Sequence, residues 1–158
     1  MTAVVFVCWG NICRSPMAER VAQGRAAEEG LTGVTFSSSG VSDEEHGGPI
    51  DARAQRVLAR AGYSTGGHRA HQITAAELRE ADLVIAMEEL HRSRLRRLAP
   101  EVEVALLTDF DPEAVPGSEV PDPWYGSASG FDGTLAAVEA AMPGVLRRVR
   151  ELQGDAPV

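Results

Sequence analysis

The sequence predicts an α/β domain: a parallel sheet with helices on both faces. Three observations predict it. Strand-like and helix-like stretches alternate along the chain four times without an internal repeat, and that alternation implies parallel strands joined by crossover helices. Val4–Val7 and Leu83–Met87 are apolar throughout, as strands buried on both faces are. The length of 158 residues suits one domain with a core large enough to stand alone.

Each element has a local reason. Val4–Val7 is the first strand. Ser15-Pro16 reads as a helix start, with Ser15 at the N-cap and Pro16 at the first helical position. That helix runs to Gly30 with Met17, Val21 and Ala22 facing inward. Thr32–Ser38 is the second strand. Asp51–Ala61 is an amphipathic helix with Val57 and Leu58 inward and Gly62 as its stop. Thr74-Ala75-Ala76-Glu77 is a capping box opening a short helix. Leu83–Met87 is the third strand, Glu88–Leu98 a helix stopped near Pro100, and Val102–Leu107 the fourth strand. Phe131–Leu152 is the last helix, with Pro143-Gly144 expected to bend it. The domain is expected to occupy residues 1–153, with 154–158 as a flexible tail.

Composition narrows the function. The formal net charge of −8 argues against a nucleic-acid binder. Arg92, Arg94, Arg96 and Arg97 cluster, but beside Leu95 and Leu98 on one helix, the pattern of a solvated face. No apolar run is long enough to span a membrane, and no basic region precedes an apolar one as in a secretory signal. The expected compartment is the cytoplasm, with export by another route left open. All 15 basic residues are arginine, which excludes a P-loop lysine and Schiff-base chemistry. Two cysteines make neither a disulfide framework nor a cysteine-built metal site. His46, His68, His71 and His91 have no metal-ligand spacing. Neither metal nor cofactor is expected.

The most specific segment follows the first strand: Cys8-Trp9-Gly10-Asn11-Ile12-Cys13-Arg14-Ser15-Pro16. It lies where a strand hands over to a helix N-terminus, whose free N–H groups and dipole favour an anion. Gly10 permits positive φ and Asn11 tolerates it. Positive surroundings of this kind favour a cysteine thiolate, the nucleophilic form. Arg14 offers a planar fork that matches two phosphate oxygens. Ser15 can donate a hydroxyl hydrogen bond to the sulfur. The expected chemistry is in-line attack of Cys8 on phosphorus, with Arg14 and the loop amides on the equatorial oxygens. In such sheets ligands bind beyond the carboxyl ends of the strands, which gathers the Cys8 loop and the stretches after Ser38 and Leu107 at one rim.

Residues 108–130 lack periodicity and carry Pro112, Pro116, Pro121 and Pro123, and long irregular stretches in compact domains are functional or disordered. A carboxylic acid there could protonate a leaving phenolate and then deprotonate the attacking water. Asp109, Asp111 and Asp122 are candidates, and spacing alone does not choose among them.

Cys8 through Ala18-Glu19 resembles the phosphate loop of low-molecular-weight protein tyrosine phosphatases. The likeness continues through Ser38-Ser39-Gly40-Val41, Asp51-Ala52-Arg53-Ala54 and Asp122-Pro123-Trp124-Tyr125-Gly126, in the family's order and spacing over nearly the whole chain. The resemblance implies strand order 2-1-3-4 and selects Asp122 as general acid and base. It implies that Trp9, Gly10, Asn11, Ile12, Cys13 and Ser15 surround the phosphate, and that Trp124 and Tyr125 wall the cleft. It implies that Asn11 bonds Ser38 and that His68 pairs with Glu19 beneath the loop. Cys13 stands where relatives carry a second thiol able to trap oxidised Cys8, or it is a small buried apolar residue. Tyr125 resembles a position that kinases phosphorylate in some relatives. Implied partners are phosphotyrosine proteins, inorganic phosphate and oxyanion inhibitors; the oligomeric state stays open, a monomer among the possibilities.

Departures from the family pattern are also legible. Trp9 replaces a smaller residue, Trp124 stands where tyrosine is usual, and Glu44 stands near a usual tryptophan, which puts peptide preference in doubt. Three rivals share features. Arsenate reductases on this scaffold need downstream cysteines, absent after Cys13. Arginine phosphatases typically carry threonine where Ile12 stands. A phospho-binding adaptor or phosphocysteine carrier does not require Cys8, Arg14 and Asp122 together.

Overall fold

The computed structural model describes residues 1–154; of the expected tail, 155–158 lie outside the described residues. Four parallel strands pair in the order β2-β1-β3-β4. The chain runs β1 (Thr2–Cys8), α1 (Arg14–Glu28), β2 (Val34–Gly40), α2 (Ala52–Arg60), α3 (Ala75–Glu80), β3 (Leu83–Ala86), α4 (Glu89–Leu98) and β4 (Val104–Leu106). A 3-10 turn (Leu107–Phe110) and the long helix α5 (Ser129–Leu152) complete it. No described helix is long and apolar enough to cross a membrane.

Strand alternation sorts the core into two layers. Val4, Phe6 and Cys8 of β1 pack with α1, α2 and α5. Val5 and Val7 pack on the other face with Leu78 of α3 and Leu95 of α4. Phe6 stacks on Phe36 at 6.3 Å between ring centroids. Burying each such large side chain contributes roughly 1.5–3 kcal/mol, so both apolar faces of β1 hold the central strand, and with it Cys8, in place.

Several boundaries move for physical reasons. Helix α1 begins at Arg14, and Cys13, not Ser15, is its N-cap, because the Ser15 hydroxyl is engaged by Cys8 and Asn11. Strand β2 runs two residues later than expected: Gly33 turns the chain at φ 72°, and the register then carries Gly40 opposite Cys8. Strand β4 is only Val104–Leu106, because Asp109 accepts a hydrogen bond from the Leu106 N–H at 2.9 Å and folds the 3-10 turn. That turn and the start of α5 at Ser129 give order to both ends of the stretch 108–130. Helix α5 runs unbroken through Pro143, and Gly144 admits the 3-10 turn, since a Cβ there would lie 2.3 Å from Phe110 O. The Thr74–Glu77 capping box starts α3 as the sequence predicts, while Asp51, expected inside α2, caps it by accepting from the Arg53 N–H.

Candidate active site

Strand β1 ends at Cys8, and the next five residues cross to α1. Cys8, Trp9, Gly10, Ile12 and Cys13 line a cleft of about 140 Å³ with Arg14, Glu44, Glu45, Asp122, Trp124 and Tyr125, while Asn11 and Ser15, expected around the phosphate, stand behind that lining. Asn11 lies above the sheet end with φ 59°, the left-handed region that few side chains tolerate. Its side chain holds the loop from inside: Nδ2 donates to Ser15 Oγ at 2.9 Å and Oδ1 accepts from the His71 N–H at 3.1 Å. Ser15 Oγ therefore has one acceptor site occupied, and its hydrogen can go to Cys8 Sγ, 3.0 Å away. The stretch just after β2 pins the other side of the loop, with the Val41 N–H donating to Cys8 O at 2.9 Å and the Ser42 N–H to Trp9 O at 3.0 Å.

Arg14 opens α1 but points across the molecule, with only 2% of its side chain exposed. Nη1 donates to Glu88 Oε2 at 2.6 Å and to Val120 O at 2.8 Å. Nη2 faces Asp122 Oδ2 at 3.7 Å. Of the cleft-lining residues described, Arg14 is the one cation, beside three carboxylates. An anion in the cleft must therefore draw on Arg14 and on the positive end of α1.

Of the three candidate acids, Asp122 lines the cleft. Asp109 caps the turn at Leu106, and Asp111 accepts from the Glu113 N–H at 2.9 Å. Asp122 does both kinds of work: Oδ1 accepts from the Trp124 N–H at 3.0 Å, leaving Oδ2 on the Arg14 side. Pro121 and Pro123 flank it and restrict the backbone that aims it. Trp124 is steadied by Arg53, whose guanidinium lies 4.9 Å from its ring and 4.6 Å from the Phe131 ring. Arg53 also donates to Trp124 O at 3.2 Å and is itself held by Asp51. Tyr125, 91% exposed, forms the outer lip. Trp9 lines the opposite part of the cleft with the Arg94 guanidinium 5.8 Å from its ring. Arg94, Arg96 and Arg97 are exposed, as a solvated face requires, while Arg92 is half-buried against Glu89.

Two expected contacts are replaced. Asn11 does not bond Ser38; it bonds Ser15 and the His71 backbone. Ser38 pairs with Phe6 in the sheet and so faces α1, where its hydroxyl donates to Glu19 Oε1 at 3.1 Å. Ser39 faces the other layer and meets His71 and Glu77. Nor does His68 pair with Glu19, whose second oxygen takes Arg20 Nε at 3.0 Å. His68 Nε2 instead lies 2.6 Å from Asn11 O, tying the strained residue from outside. Both cysteines are free. Burial pushes the Cys13 thiol far above the ordinary range, with Asp51, Cys8 and Asp122 adding negative charge. Glu88, Val120, His71 and Arg53 complete the site without having been singled out as site residues from sequence. For Glu88 a signal existed: an acidic residue at the carboxyl end of β3, on the same rim as Cys8.

A sequence model of the family described as low molecular weight phosphotyrosine protein phosphatase matches residues 3–155. A low molecular weight protein-tyrosine-phosphatase of Streptomyces coelicolor is 44% identical over 154 residues, covering 94% of this chain and 93% of that one. A protein tyrosine phosphatase from Entamoeba histolytica, solved with Hepes in its active site, superposes with a TM-score of 0.90 at 27% identity, covering 97% of this chain and 99% of that one. The YwlE arginine phosphatase, solved as a mutant with a phosphorylated active-site serine, gives 0.83 at 26% identity, covering 94% and 96%. The chain thus belongs to the low molecular weight phosphotyrosine protein phosphatase family.

Proposed function

We propose that the chain hydrolyses phosphotyrosine in proteins, and small aryl phosphates, through a phosphocysteine on Cys8. The observation that carries this reading is the convergence of Cys8, Arg14 and Asp122 on one cleft walled by Trp9, Trp124 and Tyr125. The aromatic walls suit a phenyl ring and the floor suits a tetrahedral dianion.

In the first step the Cys8 thiolate forms an S–P bond as the P–O bond to the tyrosyl oxygen breaks. Asp122 gives its proton to the departing phenolate. Arg14 and the N-terminal amides of α1 hold the equatorial oxygens, whose charge is spread in the transition state. Ser15 steadies the sulfur before attack and again as it leaves. In the second step the Asp122 carboxylate takes a proton from water, whose oxygen attacks phosphorus. The S–P bond breaks, phosphate departs and the thiolate returns.

Ile12 in the cleft favours phosphotyrosine over phosphoarginine, because it offers no hydroxyl to a guanidinium phosphate. We read residues 1–153 as one domain acting as a monomer in the cytoplasm, inhibited by phosphate and by oxyanions such as vanadate. Phosphate release from matched phosphotyrosine and phosphoarginine peptides tests the reading. Turnover of the first is expected; turnover of the second alone would overturn it.

A further inference from the structure

We propose that His91 is a positioning residue: acting through Glu88, it holds the Arg14 guanidinium in the orientation that receives phosphate. The proposal rests on the function argued above and extends it to a side chain that touches no substrate.

His91 lies on α4, three residues after Glu88, and is 1% exposed. Its Nε2 faces Glu88 Oε2 at 3.3 Å. The same oxygen takes Arg14 Nη1 at 2.6 Å. His91 Nδ1 has no hydrogen-bond partner. A buried nitrogen left unpaired costs stability, so packing alone would favour an apolar residue here. The other nitrogen gives histidine its use at this position.

Glu88 needs such a hold. It stands at the N-cap of α4 with an extended backbone, yet its carboxylate makes no capping bond. It is only part-buried, so rotation to solvent or to the free N–H groups of α4 is open to it. Either motion would release Nη1 and let the Arg14 head turn. With Nη1 tied to Glu88 and to Val120 O, the rest of the fork stays presented to the cleft.

A neutral imidazole suits this task. Its Nε2 faces Glu88 Oε2 at 3.3 Å and can offer that oxygen a proton without cancelling the Glu88 charge that Arg14 needs. Burial, and then the positive charge of Arg14, push His91 down to about 4, against the opposing pull of Glu119 and Asp122. A charged imidazolium would compete with Arg14 for the same oxygen and repel the guanidinium.

The test is a double-mutant cycle on the full chain with His91→Leu, His91→Gln, Glu88→Gln and the double variant Glu88→Gln/His91→Leu. Three quantities are measured: the Kd of inorganic vanadate by calorimetry, kcat and KM on a phosphotyrosine peptide, and the thermal midpoint. His91→Leu should weaken vanadate binding and kcat/KM about tenfold, the scale of one hydrogen bond to a charged group. His91→Gln, which keeps an N–H donor, should recover most of that loss. In the Glu88→Gln background His91→Leu should add less than about twofold, because the two act in series. Multiplicative losses, or failure of the glutamine to rescue a folded protein, would overturn the proposal. So would vanadate affinity unchanged in His91→Leu. If instead the wild type bound vanadate but left phosphotyrosine intact, the functional reading would fail, while the effect of His91 on anion affinity would still be decided.

Discussion

Asp122 Oδ2 and Arg14 Nη2 face each other 3.7 Å apart across the cleft, although 108 positions of sequence order separate an acid on an irregular loop from a cation on the first helix. The carboxylate is 41% exposed and the guanidinium almost wholly buried. The buried partner is the fixed one, and in the proposed mechanism the exposed partner is the one that meets the leaving group and then water.

That difference predicts the behaviour of Asp122→Ala. Aryl phosphates with poor leaving groups should slow about 10²–10⁴-fold, and those with good leaving groups far less. A series of substituted phenyl phosphates measures the dependence on leaving-group acidity. Equal losses across the series would remove Asp122 as proton donor.

Asn11 combines a left-handed backbone with one buried and one part-buried hydrogen bond. Asn11→Ala should lose about 3 kcal/mol, from the unpaired groups and from the φ that alanine resists. Asn11→Gly should lose less, because it keeps the backbone conformation and forfeits only the bonds. Both should lower kcat, since the Ser15 hydroxyl is no longer oriented toward Cys8. Urea midpoints and turnover on p-nitrophenyl phosphate check the order.

Gly40 lies where β2 touches the phosphate loop. A Cβ there would stand 2.9 Å from Trp9 O, 3.1 Å from Ser42 O and 3.2 Å from Asn11 Cβ. Two of these atoms are backbone and cannot rotate aside. Gly40→Ala should therefore cost about 1–3 kcal/mol and weaken phosphate binding as the loop shifts. Gly66→Ala, with nothing within 4 Å of its Cβ, is the matched control and should leave both unchanged.

His91 makes stability depend on pH. Its ordinary value is 6.5, and in the folded chain it is about 4. Between those values the unfolded chain holds the proton and the folded chain does not. Stability is therefore full above about pH 6.5 and falls as the pH drops toward 4, by roughly 3 kcal/mol in all. His91 faces Arg14, Glu88, Glu119 and Asp122, and those partners are common to wild type and variant. Denaturant midpoints from pH 7 to 4 should slope downward in wild type and more shallowly in His91→Gln. Parallel slopes would contradict the assignment.

Much of this was legible from local sequence, for reasons that are themselves local. The β1 run, the Thr74–Glu77 box and the Gly62 stop each depend on neighbours within four residues. The order of loop, acid and aromatic wall was legible through family resemblance. What escaped depends on register and on distant pairs. Whether Ser38 or Ser39 faces α1 turns on one residue of slippage in a parallel strand, which no periodicity fixes in Val34–Gly40. Glu88 and Val120 reach Arg14 from 74 and 106 residues away. His68 binds the Asn11 carbonyl rather than Glu19 because Arg20, its immediate neighbour, already occupies that carboxylate. Ser15 left the N-cap because the sulfur and Asn11 claimed its hydroxyl.

The most direct measurement is rapid acid quenching of the enzyme during turnover of a ³²P-labelled phosphotyrosine peptide, followed by mapping of the labelled residue. The account predicts phosphorus on Cys8 in wild type, more of it in Asp122→Ala, and none in Cys8→Ser, which should remain folded and inactive. Turnover with no label at Cys8, or undiminished hydrolysis by Cys8→Ser, would contradict it.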